Sequence, residues 1–343
     1  MTIWQNLFTH RATDEAAWRR FAIWLLAIFG GGIAFICAGI VLTDPYDSGR
    51  LLSIIPGGTF DSTPRTANVS RGRDASFNSA IVGNSHIQLV DPQRLSLPGL
   101  NFVQLSTPGT GPREQIAIMQ WFLRNHRDVG AVVIGMDDFW CTDNPEMPLT
   151  NPFPFWLYGD FAGFTSHLLS SRSLDLMARR VAIAAGLLQR TVPNGYWDYE
   201  AGRVWDFKPD VLNWKRVDLS ARLSGNSRPF PAFDLLENAA AQLPKKSLLI
   251  AVFPPRFRAA LPEQETQGAI DIANCKAEFI RRFRAYPNVA LIDLLIDNSA
   301  NRNPANYMDM THYRAPIARA IEMQVRGEIE NGLKPQNNGK LRN

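Results

Sequence analysis

Two short stretches of this 343-residue chain combine residue types that perform nucleophilic chemistry. Gly83-Asn84-Ser85-His86 follows an apolar run at 79–82, and Asp309-Met310-Thr311-His312 precedes the last amphipathic segment. A serine at the carboxyl end of a buried strand is well placed as a nucleophile, and the glycine before it permits a tight exit. A helix starting just beyond would aim free N–H groups at an oxyanion. The competing reading is a turn serine that caps a helix. Asp309 and His312 stand three residues apart, a spacing that lets two side chains meet on one side of a helical turn. A carboxylate there accepts from His Nδ1–H, fixes the tautomer and leaves Nε2 free as a base. An Asp-x-x-His by itself also makes an ordinary polar helix start.

Taken together the two stretches say more than either does alone, because the chain has only five histidines. His10 lies before a long apolar run. His126 ends an amphipathic segment and His167 sits among aromatics, so both read as surface or packing residues. His86 is next to Ser85, and neighbours at a strand end point apart. His312 is the one that reaches the same sheet edge with a carboxylate of its own. A metal-dependent alternative would use Asp137, Asp138, His86 and His312, but their scattered spacing matches no standard zinc site. No Gly-x-Ser-x-Gly elbow is present.

The elements that must position these residues follow from apolar periodicity. Short continuous apolar runs at 79–82, 101–105, 131–134, 247–253 and 289–295 read as strands. Helical spacing marks 111–126, 270–283 and 315–329, the last with Pro316 in its first turn. Buried strands alternating with helices imply an α/β fold with a doubly wound, five-stranded parallel sheet. Ligands of such a sheet bind at the carboxyl ends of its strands. Residues 140–246 interrupt the alternation and are rich in aromatics and proline. Within them 173–189 reads as a helix, and 196–207 as a hairpin turning at Ala201-Gly202. An insertion leaving a strand's carboxyl end emerges at the sheet rim, where it would cap the site.

Residues 21–42 contain no Asp, Glu, Lys or Arg, and this run is long enough to cross a hydrocarbon core of about 30 Å. Trp18 and Trp24 lie near its start, and Arg11, Arg19 and Arg20 precede it. The arginine excess puts residues 1–20 in the cytoplasm and 43–343 outside. A cleaved signal peptide would have a shorter apolar core and a small-residue cleavage site, and none precedes Thr43. Residues 43–78 read as a linker, 79–332 as the external domain and 333–343 as a flexible tail. In an oxidising compartment Cys141 and Cys275 are candidates for a disulfide, with two unpaired buried thiols as the alternative.

Composition excludes several classes. With 45% hydrophobic and 20% charged residues the chain is neither disordered nor fibrous. Three cysteines exclude a disulfide-dense mini-domain. A net charge of +4 without a basic stripe gives no reason to expect nucleic acid. The chemistry calls for no cofactor and no metal.

Gly83-Asn84-Ser85 after the first strand, Gly109 after the second, Gly135-Met136-Asp137-Asp138 after the third and Asp309-x-x-His312 before the last helix resemble the four blocks of the SGNH (GDSL-like) hydrolase superfamily. The resemblance covers residues 79–330 apart from the insertion. It implies Ser85 as nucleophile, His312 as base and Asp309 as its orienter. It also implies an oxyanion hole from the Ser85 and Gly109 backbone N–H groups. The pattern departs at Asp137, which stands where that superfamily carries an asparagine that donates to the oxyanion, and an ionised carboxylate donates nothing. With one N-terminal span, the layout resembles the membrane-anchored proteins of polysaccharide O-acetylation, such as alginate O-acetyltransferases. That implies a periplasmic domain on the inner membrane, a polysaccharide ester as substrate and a membrane-bound O-acyltransferase as partner. The alternative reading is a non-catalytic glycan-binding or scaffold subunit.

Overall fold

The computed structural model describes residues 15–59, 61, 63–145, 152–210 and 230–333. Five parallel strands form one sheet: β1 (Ser79–Val82), β2 (Phe102–Gln104), β3 (Ala131–Gly135), β4 (Leu248–Phe253) and β5 (Val289–Asp293), in the order β2-β1-β3-β4-β5. The sheet is central because both faces of its strands are apolar. Alternate residues point to opposite faces of a strand, and here each set enters its own core. Ala80, Val82, Val132, Ile134, Leu249 and Ala251 pack on one side; Ile81, Ala131, Val133, Ile250 and Val252 pack on the other.

The first side is covered by α3 (Pro112–Asn125), α5 (Ala232–Ala240) and α6 (Gln267–Phe283), through Ile118, Met119, Phe122, Phe233, Leu236 and Phe279. The second is covered by α7 (Ala315–Leu333), whose Ile317, Ile321, Val325 and Ile329 recur every four residues along one face. Full burial of each such side chain contributes ~1.5–3 kcal/mol. Each expected strand and sheet-covering helix is present, with bounds moved by a few residues at most. Reversal of strand order falls between β1 and β3. Both the Ser85 and the Asp137 segments emerge at the carboxyl ends on either side of that point, where sheets of this kind bind their ligands.

Three expectations are corrected. Residues 43–78 do not run as an open linker: Tyr46, Asp47, Ser48, Thr59 and Asp61 are buried, and α2 (Pro64–Arg71) packs on the domain. Asp47 is the reason. Its carboxylate takes the Ser70 hydroxyl at 2.6 Å, the Gly58 N–H at 2.7 Å, the Arg180 guanidinium at 3.0 Å and Arg73. Burial pushes its pKa up, but Arg180 and Arg73 more than offset this and hold it below the usual carboxylate range. Second, the helix expected over 173–189 is α4 (Ser171–Ala184), ended by Gly186 at φ +74°. Third, 196–207 makes a turn at Ala201-Gly202, with Arg203 N–H donating to the Glu200 carbonyl, but forms no strands.

Helix α1 (Glu15–Thr43) contains the whole apolar run 21–42, with a mean hydropathy of 2.5 over its best window, and is long and apolar enough to cross a membrane. Residues 1–14 and 334–343, most of the expected cytoplasmic and C-terminal tails, lie outside the described residues. So do 146–151 and 211–229 of the insertion.

Cys141 and Cys275 are bonded, tying the turn after β3 to α6 across 134 positions of sequence. A cross-link over so long a loop restricts the unfolded chain, an effect of ~2–5 kcal/mol. Adding reductant to the unfolded and refolded protein is expected to lower the unfolding free energy obtained from urea titration by that amount, and an unchanged value would count against the bond.

Candidate active site

The carboxyl edge of the sheet gathers the residues singled out above. Chain direction after β1 is set by Gly83. Its φ of +151° disfavours any side chain, and a Cβ there would lie 2.6 Å from Ile87 Cγ2. The chain then coils through successive turns, with Ile87 N–H donating to the Asn84 carbonyl and Gln88 N–H to the Ser85 carbonyl. These turns, rather than a continuous helix, lift Ser85 to the edge.

Asp309 and His312 sit on a closed loop, not on the expected helical turn. Tyr307 and Tyr313 pair as an antiparallel bridge, and Met308 N–H donates to the His312 carbonyl at 2.9 Å. Both tyrosines are buried in the second core, so the four residues from Asp309 to His312 form the tip of a rigidly based loop. Phe257 N–H, just past β4, donates to the Met310 carbonyl and fixes the loop to the sheet. Within the tip Asp309 Oδ1 accepts the N–H groups of Thr311 at 2.7 Å and His312 at 2.8 Å. Its Oδ2 lies 2.8 Å from His312 Nδ1. On the opposite side of the ring, His312 Nε2 lies 2.9 Å from Ser85 Oγ. Serine, imidazole and carboxylate are thus linked in sequence, each within hydrogen-bonding distance of the next. Burial pushes the Asp309 pKa up, but the hydrogen bonds and charge of His312, with the backbone N–H groups, hold it well below the usual carboxylate range. An ionised Asp309 favours the tautomer with Nδ1–H, leaving Nε2 to accept from Ser85.

Gly109 (φ +63°) lies on the loop after β2. That loop is tied to the Ser85 turn by Thr107 N–H, which donates to the Gly83 carbonyl at 2.8 Å. Arg65 Nη2 donates to the Gly109 carbonyl at 3.0 Å. Asp137 is buried with both oxygens accepting: Oδ1 from Phe139 N–H at 3.1 Å, Oδ2 from Asn84 Nδ2. It braces the β1 exit against the β3 exit and is not disposed as a donor to an oxyanion.

His86 differs from expectation. It does not turn away: its ring centroid is 5.0 Å from that of His312, and its Nδ1 is 3.4 Å from Asp137 Oδ2, long for a hydrogen bond. Asp138 is engaged elsewhere, in a buried two-pronged pair with Arg256 at 2.5 and 3.0 Å. Burial opposes its ionisation, but Arg256 outweighs this and keeps its pKa below the ordinary value. Among the described residues no group of three or more His, Cys, Asp or Glu is placed to hold a metal ion. His126 stacks on Phe122 and His167 on Trp156, both as packing residues.

Sequence reasoning missed Arg256 and Glu200. Arg256 follows Pro254-Pro255 at the β4 exit, and its charge reaches both His86 and Asp137. The strand-exit rule was the available signal. Glu200 belongs to the insertion; it accepts from Arg314 Nε at 2.6 Å and from Ala315 N–H at 2.7 Å, capping α7 just past His312. No local pattern announces a cap supplied from 115 positions away.

No protein-family model matches this sequence, and no curated protein matches it either. The chemistry therefore rests on the residues themselves.

Burial, with Arg256 acting in the same direction and Asp137 against it, holds the His86 pKa below its ordinary 6.5. The unfolded chain then takes up this proton first on acidification. Stability is full above pH 6.5 and falls as pH drops through that value towards the folded pKa. His126, also lowered by burial, acts in the same direction. Urea midpoints taken on either side of pH 6.5 should show the decline, and His86→Gln should make it shallower; equal slopes in the two proteins would contradict the assignment.

Proposed function

We propose that this chain is a membrane-anchored serine acyltransferase or esterase that works outside the cytoplasm on acyl esters, acetyl esters first among them, of envelope or exported polysaccharide. The observation that carries the proposal is the Ser85–His312–Asp309 relay, with 2.9 and 2.8 Å between successive partners. Resemblance of the four strand-exit blocks to the SGNH superfamily supports it. So does the apolar helix α1, whose arginine-rich N-terminal flank favours a cytoplasmic start.

The reaction runs in two halves. Ser85 Oγ attacks the acyl carbonyl carbon while His312 Nε2 takes the hydroxyl proton. Asp309 stabilises the imidazolium that forms. Negative charge on the former carbonyl oxygen is met by the backbone N–H groups of Ser85 and Gly109. With Asp137 as an acceptor, the hole has two backbone donors and no side-chain amide. Collapse of the intermediate breaks the ester C–O bond, and His312 returns its proton to the leaving alcohol. A sugar hydroxyl, or water, then attacks acyl-Ser85, giving its proton to His312, and Ser85 is regenerated. Transfer and hydrolysis differ only in that second nucleophile. The insertion is the cap in this reading, since Glu200 braces α7 and Tyr199 lies within the electrostatic reach of Asp309. A membrane-bound O-acyltransferase is the natural source of acyl groups for a domain tethered in this way.

A second reading is a glycan-binding subunit without turnover. It draws on Trp197, 56% exposed beside Tyr199, and on the missing side-chain donor at Asp137. Steady-state turnover of an activated acetyl ester separates the two. Ser85→Ala and His312→Ala should each lower the rate by at least ~10³-fold, and the double variant little further, because the two act as one unit. Undiminished turnover in Ser85→Ala would exclude the serine mechanism, and absence of turnover with glycan binding intact would favour the second reading.

A further inference from the structure

The junction between α1 and the domain has an apolar underside. Ile54 N–H donates to the Leu42 carbonyl at 3.0 Å, which puts the loop 51–57 level with the last residue of the apolar run. This loop reads Leu-Leu-Ser-Ile-Ile-Pro-Gly and carries no charge. Leu52 is 70% exposed and Ile54 74%. The loop is held from behind by Arg180 of α4, which is itself buried. Its guanidinium donates to the Gly58 carbonyl at 2.8 Å, to Ser53 Oγ at 3.2 Å and to the Thr43 carbonyl at 2.8 Å. The chain leaving α4 returns to the residues just after this loop, with Arg190 against Gly58 and Thr191 N–H bonded to the Thr59 carbonyl, and on the way it exposes Leu187 at 78%.

Depth is fixed by a second contact. A Cβ on Gly39 would lie 2.9 Å from Met177 Sδ, so α4 touches α1 three residues before the apolar run ends. Ile36, Gly39 and Ile40 belong both to the apolar run and to the contact with the domain. At about 1.5 Å of rise per residue, the 22 residues of that run match a hydrocarbon core of about 30 Å with little to spare. No spacer remains to lift the domain clear of the headgroups.

We propose that Leu52, Ile54 and Leu187 are seated in the interfacial layer of the same bilayer that α1 crosses, so that the domain is docked on the lipid rather than swinging from a tether. The proposal rests on the membrane-span reading of α1. Side chains of this kind insert shallowly at the headgroup–acyl boundary, and exposed apolar groups clustered at one place mark such contacts. The occupant is lipid because the surface continues directly from the spanning helix.

The test uses the full chain in phosphatidylethanolamine–phosphatidylglycerol nanodiscs with Cys37 replaced by alanine. Nitroxide labels are placed singly through Leu52→Cys, Ile54→Cys and Leu187→Cys. Leu26→Cys serves as the reference inside the span and Val204→Cys, fully exposed on the insertion, as the reference in water. Power saturation compares collisions with oxygen and with a water-soluble nickel chelate. At the three sites the oxygen-to-nickel ratio should lie between the two references and well above that at Val204. Ratios equal to that at Val204, with Leu26 still protected, would show that the domain stands clear of lipid, leaving a protein partner to cover the surface, and would overturn the proposal. A water-exposed Leu26 would overturn the span reading and the proposal with it.

Discussion

The contact between Ser85 Oγ and His312 Nε2 joins side chains 227 positions apart, and it exists only if the whole parallel sheet is assembled. Ser85 hangs from β1, an interior strand of the sheet. His312 hangs from a loop that the second core grips through Tyr307 and Tyr313 and that β4 holds through Phe257. A shift of one residue in any of these pairings would turn the strand's side chains to the wrong faces and carry the two groups apart. The apolar alternation that forms two cores is therefore also what holds the Ser85–His312–Asp309 geometry, and stability and the proposed chemistry share one cause.

Around this contact the edge is stiffened by buried polar groups outside the Ser85–His312–Asp309 set. Asp137 ties Asn84 to the turn after β3, and Arg256 neutralises Asp138 beside it. The disulfide from Cys141 fastens the same turn to α6. Such pairs are costly to bury and costly to break, so they fix one arrangement of the strand exits. At the exit of α1 the same logic recurs, with Asp47 between Arg73 and Arg180 joining that exit to α2 and α4. The chain is thus braced at the site and at the junction by ion pairs of similar construction.

What the sequence made legible was whatever is periodic or local. Five continuous apolar runs, the spacing of α3 and α7 and the charge-free stretch of α1 each carry their own signal. Gly83-Asn84-Ser85 and Asp309-x-x-His312 were readable because strand exits are where such a sheet binds its ligands. Ion pairs and helix caps supplied over long separations were not readable. Nothing near Asp47 says that Arg180 will neutralise it, so 43–78 read as a linker. Nothing near Glu200 says that it will cap α7, and the stretch turning at Ala201-Gly202 read as a hairpin although tertiary contacts hold it as a loop. His86 was misjudged because the strand ends before it, and the turns that follow bring its ring beside His312.

The most direct measurement is chemical. The full-length protein is treated with an alkyl fluorophosphonate, which traps a nucleophile activated by a neighbouring base, and the modified residue is located by peptide mass. The account predicts a single adduct on Ser85 that is lost in His312→Ala. An adduct on another serine, no adduct at all, or labelling of Ser85 that is indifferent to His312 would contradict it.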